Sequence, residues 1–239
     1  KVAMTNLVSN SGVVAADVTG VGTARRGLGA ASYGSDKVIF GYGNTGSSSS
    51  LSNLVSSSGV VSVDVTGVGT ARHDLAATGY GTDKAIFGYG ETSVSMTNLV
   101  SNVGVVSTDT TGVGTARASL AAVGYGGDKA IFAYGYNASG YQSMSNLVSN
   151  SGVVALDTTG VGTAREGVGS ATYGGDKAIF GYGYTGSNSS LTNLVSNSGV
   201  VAANTTGVGT ARYYLAAAAY GTDKAIFGYG TTGSYTAVT

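Results

Sequence analysis

Cysteine is absent from this 239-residue sequence, which excludes a disulfide framework, a thiolate zinc site and a thiol nucleophile. Histidine occurs once, as His73, so a centre built from several imidazoles is excluded by count. Ser-His-Asp chemistry has one place at most to assemble, and Asp74 has no special claim to orient His73. No GxSxG nucleophile elbow occurs either. Charge is scarce: 12 Lys plus Arg balance 12 Asp plus Glu, and 10% of residues are charged. No basic excess points to nucleic acid, and near-zero net charge gives little repulsion against self-association. No apolar run approaches the ~20 residues of a membrane helix, so no membrane insertion is expected.

What the chain has in quantity is glycine, 41 residues without the period of collagen, and a sentence written five times. Thr-Ala-Arg recurs with its arginine at Arg25, Arg72, Arg117, Arg165 and Arg212, a spacing of about 47 residues. Each unit reads as four short segments: "RxxLAAxxY", "DKAIFGYG", "(L/M)(T/S)NLVS" and "GVVAxDTTGVG". Gly, Asn, Asp and Ser punctuate them as turns require, while "KAIF", "NLV" and "GVV" are short runs of β-formers. The rival is helical, because "TARYYLAAAAYG" has a Thr to cap it, an alanine run and a Gly to stop it. Its copies "RRGLGAASYG" and "REGVGSATYG" carry interior glycines that would each cost a helix about 1 kcal/mol. A strand near a crowded axis accounts better for such small residues.

Four strands in about 47 residues is the size of one propeller blade. An arginine entering a small-residue strand, a tight turn and a β-run ending in glycine, as in "TARHDLAATGYGTDKAIFGYG" at 70–90, resembles the kelch repeat family of β-propellers. The resemblance runs through nearly the whole chain, with Gly-Tyr-Gly where kelch units have a Gly-Gly pair and no tryptophan on the last strand. Tyr/Gly-rich arrays of this type are also similar to those of bacteriophage structural proteins and uncharacterised microbial proteins. The resemblance implies an all-β fold: one domain over 1–239, a five-bladed β-propeller of four-stranded antiparallel blades. The chain starts with third and fourth segments (Val2–Val18) and ends with first and second ones (Arg212–Gly230). The ring is therefore expected to close where the N- and C-terminal segments share one blade. The tail 231–239 repeats what Met4-Thr5 supplies, so it is displaced, continued, or added to a neighbour's sheet.

Differences among the copies sit in two places. Lengths vary between "YG" and "NLV", and identities vary just after the arginine: Arg26-Gly27, His73-Asp74, Ala118-Ser119, Glu166-Gly167, Tyr213-Tyr214. Alternating strand directions put both on one face, with the constant "YGxDK" and "VSNSGVV" turns on the other. Of 16 tyrosines, ten belong to constant motifs; the other six, Tyr136, Tyr141, Tyr184, Tyr213, Tyr214 and Tyr235, all fall in the variable connections. Tyrosine beside Ser, Gly and Asn is the chemistry of recognition loops, and its ring stacks on sugars while phenol and amide groups bond hydroxyls. Tyr136, Tyr141, Tyr184, Tyr213, Tyr214 and Tyr235, with His73, Asn137 and Asn188, are the expected ligand-binding residues. Drift of unconstrained loops is the plain alternative.

The remaining motifs read as structure. Five arginines at one position either ring a channel mouth for an anion or pair with backbone carbonyls and Asp17, Asp64, Asp109 or Asp157; repetition favours pairing. "GxDK" is a hairpin turn with too few oxygens for calcium, and "TGVGTAR" lacks the Lys-Ser/Thr pair of a phosphate loop. Glu91 and Glu166 are the nonrepeating carboxylates, two blades apart in the expected ring. No catalytic residue, metal or cofactor is expected. The expected function is that of a non-enzymatic structural and binding module, extracellular or virion-associated, whose variable face contacts a glycan or surface protein. The alternative is a self-assembling building block of a filament or capsid surface, a homo-oligomer or larger assembly without soluble ligand.

Overall fold

A computed structural model of the chain describes residues 1–91 and 94–233, and every regular element among them is a β-strand. The first sheet contains β1 (Gly29–Tyr33), β2 (Lys37–Gly41) and β3 (Ser52–Val55). The second contains β4 (Ala76–Tyr80), β5 (Lys84–Gly88) and β6 (Thr97–Val100). The third joins β7 (Ala121–Tyr125), β8 (Lys129–Ala133) and β11 (Ser145–Val148), with a small hairpin of β9 (Tyr136–Asn137) and β10 (Gly140–Tyr141) in its connection. The fourth contains β12 (Gly169–Tyr173), β13 (Lys177–Tyr184) and β14 (Asn188–Val195). The fifth has β15 (Ala216–Tyr220) and β16 (Lys224–Gly228). The alanine tract that reads as a possible helix is thus β15.

All ladders are antiparallel and share one register, Ala31 facing Ile39 in unit 1 as Ala171 faces Ile179 in unit 4. Each hairpin turn is a place where glycine is required. Gly34 lies at φ 57°, and a Cβ there would meet the Asn102 carbonyl oxygen at 2.8 Å. Its N–H donates to the Asp83 carbonyl of the next unit at 2.7 Å, and the contact recurs from Gly81, Gly126 and Gly174. The first strands stand side by side in chain order, β1 by β4, β4 by β7, β7 by β12 and β12 by β15.

The five-bladed propeller of four-stranded blades is not what the structure shows. Its sheets have two or three strands each, none is closed, and among the described residues no ladder joins the first and last units. The fourth segment meets β3 only through isolated bridges, Val55 to Val61 and Ser52 to Val65. Between those bridges the Asn53 amide reaches across, donating to the Ser62 carbonyl at 3.1 Å and to Asp64 at 3.0 Å. One extra residue on that side, with a side chain taking the carbonyl, breaks the ladder as a bulge does. Among the described residues the shared closing blade is likewise absent: Thr5–Val18 forms its own bridges, and residues 234–239 of the tail lie outside the described residues.

Units 2, 3 and 4 are each locked by an arginine. Arg117 is fully buried, and its Nε donates to the Tyr134 carbonyl (2.8 Å), Nη1 to the Thr115 carbonyl (2.9 Å) and Nη2 to Asn146 Oδ1 (2.7 Å). Asp157 lies 3.9 Å away and accepts from Thr115 N–H and Oγ1. The arginines are therefore internal fasteners, not an anion ring. Units join through aromatics: the Phe87 ring of unit 2 meets Tyr42 of unit 1 edge-on at 5.2 Å, and Arg72 sits over the same Tyr42 at 4.1 Å. The pattern recurs at Tyr89, Tyr134 and Tyr182. These tyrosines all hold φ near 63°, a left-handed backbone costing on the order of 1 kcal/mol in a non-glycine residue, offset by burying the ring.

Acid sensitivity follows from the aspartates. Burial, the largest single influence, pushes the Asp109 carboxyl up. Hydrogen bonds from the Thr70 side chain, Asn98 and the Thr70 N–H, with the Arg72 charge, outweigh it and hold the pKa below its ordinary value. Asp64 and Asp157 are lowered in the same way. A depressed folded pKa gives stability that is present above the unfolded value of about 3.9 and lost as pH falls through the folded one. Unfolding is therefore expected to begin below about pH 4. Unit 4 already carries Asn204 here, its Oδ1 accepting from Thr163 N–H (3.2 Å) and its Nδ2 donating to Thr163 Oγ1 (2.8 Å). Asp64→Asn, Asp109→Asn and Asp157→Asn combined should fold at neutral pH and shift the acid midpoint downward, read by circular dichroism. An unchanged midpoint would show that the aspartates do not govern it.

Candidate functional site

Two residues after each buried arginine the backbone turns through positive φ, at Gly27, Asp74, Ser119, Gly167 and Tyr214. A ladder links them across units: Asp74 N–H donates to the Gly27 carbonyl, Ser119 to Asp74, Gly167 to Ser119 and Tyr214 to Gly167, at 2.8–3.1 Å. The next residues, including Leu28, Leu75, Leu120 and Leu215, line a shallow cup of about 210 Å³ to which all five units contribute. A separate recess of about 240 Å³, lined by the constant turns around Tyr33, Tyr80 and Tyr125, lies at the other end of the first strands. The lysines of those turns at Lys84 and Lys129 are paired with Asp83 and Asp128, each at 3.1 Å.

Beside the cup, five of the six variable-region tyrosines form one continuous row. Ring centroids are 5.4 Å apart for Tyr136 and Tyr141, 5.9 Å for Tyr141 and Tyr184, 5.0 Å for Tyr184 and Tyr213, and 5.0 Å for Tyr213 and Tyr214. Three units supply them, and the elements explain the alignment. Tyr136 pairs with Ala118, Tyr184 with Glu166, and Tyr213 with Thr231, so the two variable spots of each unit are bridged to one another. The β9–β10 hairpin folds Tyr141 back onto Tyr136. Tyr136 is 43% and Tyr214 60% exposed, leaving ring surface for a ligand. Tyr235 lies outside the described residues.

The other sequence candidates divide. Asn188 faces Tyr184 across the β13–β14 ladder and belongs beside the row. Asn137 is used by its own loop: its Nδ2 donates to the Ala116 carbonyl and its Oδ1 accepts from Ser139 N–H and Gln142. His73 sits in unit 2 at the position of Tyr213, with Nδ1 3.1 Å from Ser48 Oγ and Nε2 3.7 Å from Asp74, and is not part of the row.

Two polar groups that motif reading did not single out, Ser119 and Asp74, line the cup. The Ser119 hydroxyl is 3.4 Å from that of Tyr214. Burial pushes the Glu166 carboxyl up against an opposing Ser119 hydrogen bond, and the Glu91 and Asp74 charges push it further. Burial likewise raises Asp74, His73 opposing and Glu91 adding. Among the described residues no group of three or more His, Cys, Asp or Glu is placed to hold a metal. The signal for Ser119 and Asp74 in the sequence was their shared offset from the arginine, a position where two of five copies are glycine. The sequence matches no protein-family model and no curated protein is similar to it, so the kelch resemblance rests on the quoted residues alone.

Proposed function

We propose that this chain is a non-enzymatic structural and binding module of an extracellular or virion assembly, holding carbohydrate along its tyrosine row. The observation that carries this reading is the continuity of Tyr136, Tyr141, Tyr184, Tyr213 and Tyr214. The rings, drawn from three units and tilted 40–76° to one another, offer a stepped apolar surface to the sugar rings of an oligosaccharide, while phenols, Asn188 and Glu166 offer hydrogen bonds to hydroxyls. Fixed rings cost little entropy on binding. Several modest stacking contacts on one rigid scaffold then add through a common ligand. The setting is taken from the similarity to Tyr/Gly-rich phage arrays.

Tyr184 is the middle of the row, so Tyr184→Ala should separate its two halves. One ring stacked on a sugar is worth about 0.5–1.5 kcal/mol, so affinity for a captured oligosaccharide should fall about two- to thirteenfold. Tyr214→Gly is the companion variant, because φ is 50° there and glycine stands at the same place in units 1 and 4. It removes a ring without straining the backbone, so weakened binding would be a ligand effect. Capture of no glycan on an array, or binding unmoved by Tyr184→Ala and Tyr214→Gly together, overturns the reading.

A further inference from the structure

The four joints between successive units share one plan, and the two ends of the array carry its separated halves. At an internal joint the later unit brings an arginine and a phenylalanine onto the tyrosine of the earlier unit, as Arg72 and Phe87 do on Tyr42. Tyr229, the corresponding tyrosine of unit 5, is 58% exposed, against 0–1% for Tyr42, Tyr89 and Tyr134. At the other end Arg25 and Phe40 have no earlier tyrosine; they line an open cleft with Met4, Thr5 and Asn53. Phe40 is half-buried, as Phe227 is at the last joint, where Phe87, Phe132 and Phe180 are fully buried.

The same separation holds inside a unit. In units 1 to 4 the second strand pairs with the third and the arginine donates to its asparagine, at 2.5–2.7 Å in all four. In unit 5 no strand among the described residues pairs with the outer edge of β16, and Arg212 Nη2 donates to the Phe227 carbonyl at 3.4 Å where the other arginines have an asparagine. Residues Thr5–Val8 are the matching third segment. Asn6 already donates to Asp17 (2.8 Å) and the Ala15 carbonyl (3.1 Å), the arrangement Asn53 has with Asp64 and Ser62. The acceptor half is thus preformed, and an arginine is what it lacks.

We propose that a second copy of this chain docks head to tail, its Thr5–Val8 edge pairing with β16 and its Arg25 and Phe40 covering Tyr229. Register follows from unit 1, where Gly41, Phe40, Ile39 and Val38 face Ser52, Asn53, Leu54 and Val55. Transferred to the joint, Gly228 faces Thr5, Phe227 faces Asn6, Ile226 faces Leu7 and Ala225 faces Val8. Arg212 then reaches Asn6 of the second copy, and Thr210 reaches Asp17. Strand addition satisfies two exposed edges at once. The contact uses different surfaces on its two sides, so it is heterologous and propagates into rings or filaments. This association is independent of the tyrosine row.

Sedimentation of the 239-residue chain over a wide concentration range tests it. Weight-average mass should rise from the 23.4 kDa of one chain by at least about twofold, as mass action requires. Leu7 and Ile226 are 41% and 48% exposed, so Leu7→Asp and Ile226→Asp should each fold, confirmed by circular dichroism, and each stay monomeric. Mixed together they retain one good head and one good tail and should form a dimer that grows no further. Amide exchange in wild type, which needs no variant, should slow at Asn6, Val8, Ala225 and Phe227, whose N–H groups face the joint in this register, as concentration rises. A wild-type chain that stays monomeric at all concentrations, or variants that still polymerise singly, overturns the proposal.

Discussion

Arg117→Ala is expected to destabilise the protein by about 3–5 kcal/mol, the range for breaking a buried charged network by removing one partner. The guanidinium bonds three acceptors belonging to three parts of one unit: the Tyr134 carbonyl after β8, the Thr115 carbonyl before β7 and Asn146 on β11. Alanine leaves those acceptors buried without a donor, and each such loss costs about 1–3 kcal/mol. It also uncovers the Tyr89 ring, 4.4 Å from the guanidinium carbon, and so loosens the joint to unit 2. Arg117→Lys should recover little, since one ammonium on a single stem cannot serve three diverging acceptors. Arg212→Ala is the internal control. Its Nη1 bond to Thr210 is intact at 3.0 Å, but its Nε has no partner and its Nη2 reaches only the Phe227 carbonyl at 3.4 Å. Its loss should cost about 1–2 kcal/mol. Urea unfolding checks both, and an Arg117→Ala midpoint close to wild type would show that the buried network is not what locks a unit.

The contrast between Arg117 and Arg212 also marks what could be read from residues alone. Five arginines at one offset, four of them followed by an asparagine 26–29 residues on and then by an aspartate or Asn204, point to a fastener, because a ligand site need not recur in every copy. Strand rather than helix for Ala216–Tyr220 was legible from its relatives, since "GAASY" and "GSATY" carry glycines a helix would resist. The fourth segment was not legible. "GVVALDTTG" has the β-branched residues of a strand, and nothing in it says that the Asn146 amide will take the Ala155 carbonyl that a fourth ladder needs. Ring closure failed for a related reason: complementary end segments show that two surfaces match, without saying whether they belong to one molecule. The tyrosine row was half legible. Composition gathered the six residues, but the alignment of five depends on bridges such as Glu166 to Tyr184 that pair the two variable spots. Asn137 looked like a ligand group and is spent on its own turn, as short polar side chains often are.

Phe132→Ala should cost about 3–5 kcal/mol, as large-to-small changes of buried aromatics do, and the loss should fall on one joint. Phe132 is fully buried in unit 3, its ring 5.2 Å from Tyr89 of unit 2. A Cβ placed on Gly88 would lie 2.6 Å from its Cζ, so the ring fills the space that glycine leaves. That glycine is a matter of room and not of backbone, and unit 3 shows how much room can be given up. Its equivalent residue is Ala133, and Phe180 still packs there fully buried, 5.4 Å from Tyr134. Gly88→Ala alone should therefore cost about 1 kcal/mol, the low end for added volume in a core, with the Phe132 ring displaced to make room. In the Phe132→Ala background the same methyl partly fills the vacated cavity, and the pair should recover about 1 kcal/mol of the loss, a coupling that a double-mutant cycle resolves. Strict additivity would mean that the ring does not occupy the glycine's space. Because stability in a repeat array is close to a sum of unit and joint terms, Phe132→Ala should also divide the unfolding transition. Amide exchange would then separate units 1 and 2 from units 3 to 5, whereas Phe40→Ala, at an end with no earlier unit to lose, should leave the transition whole.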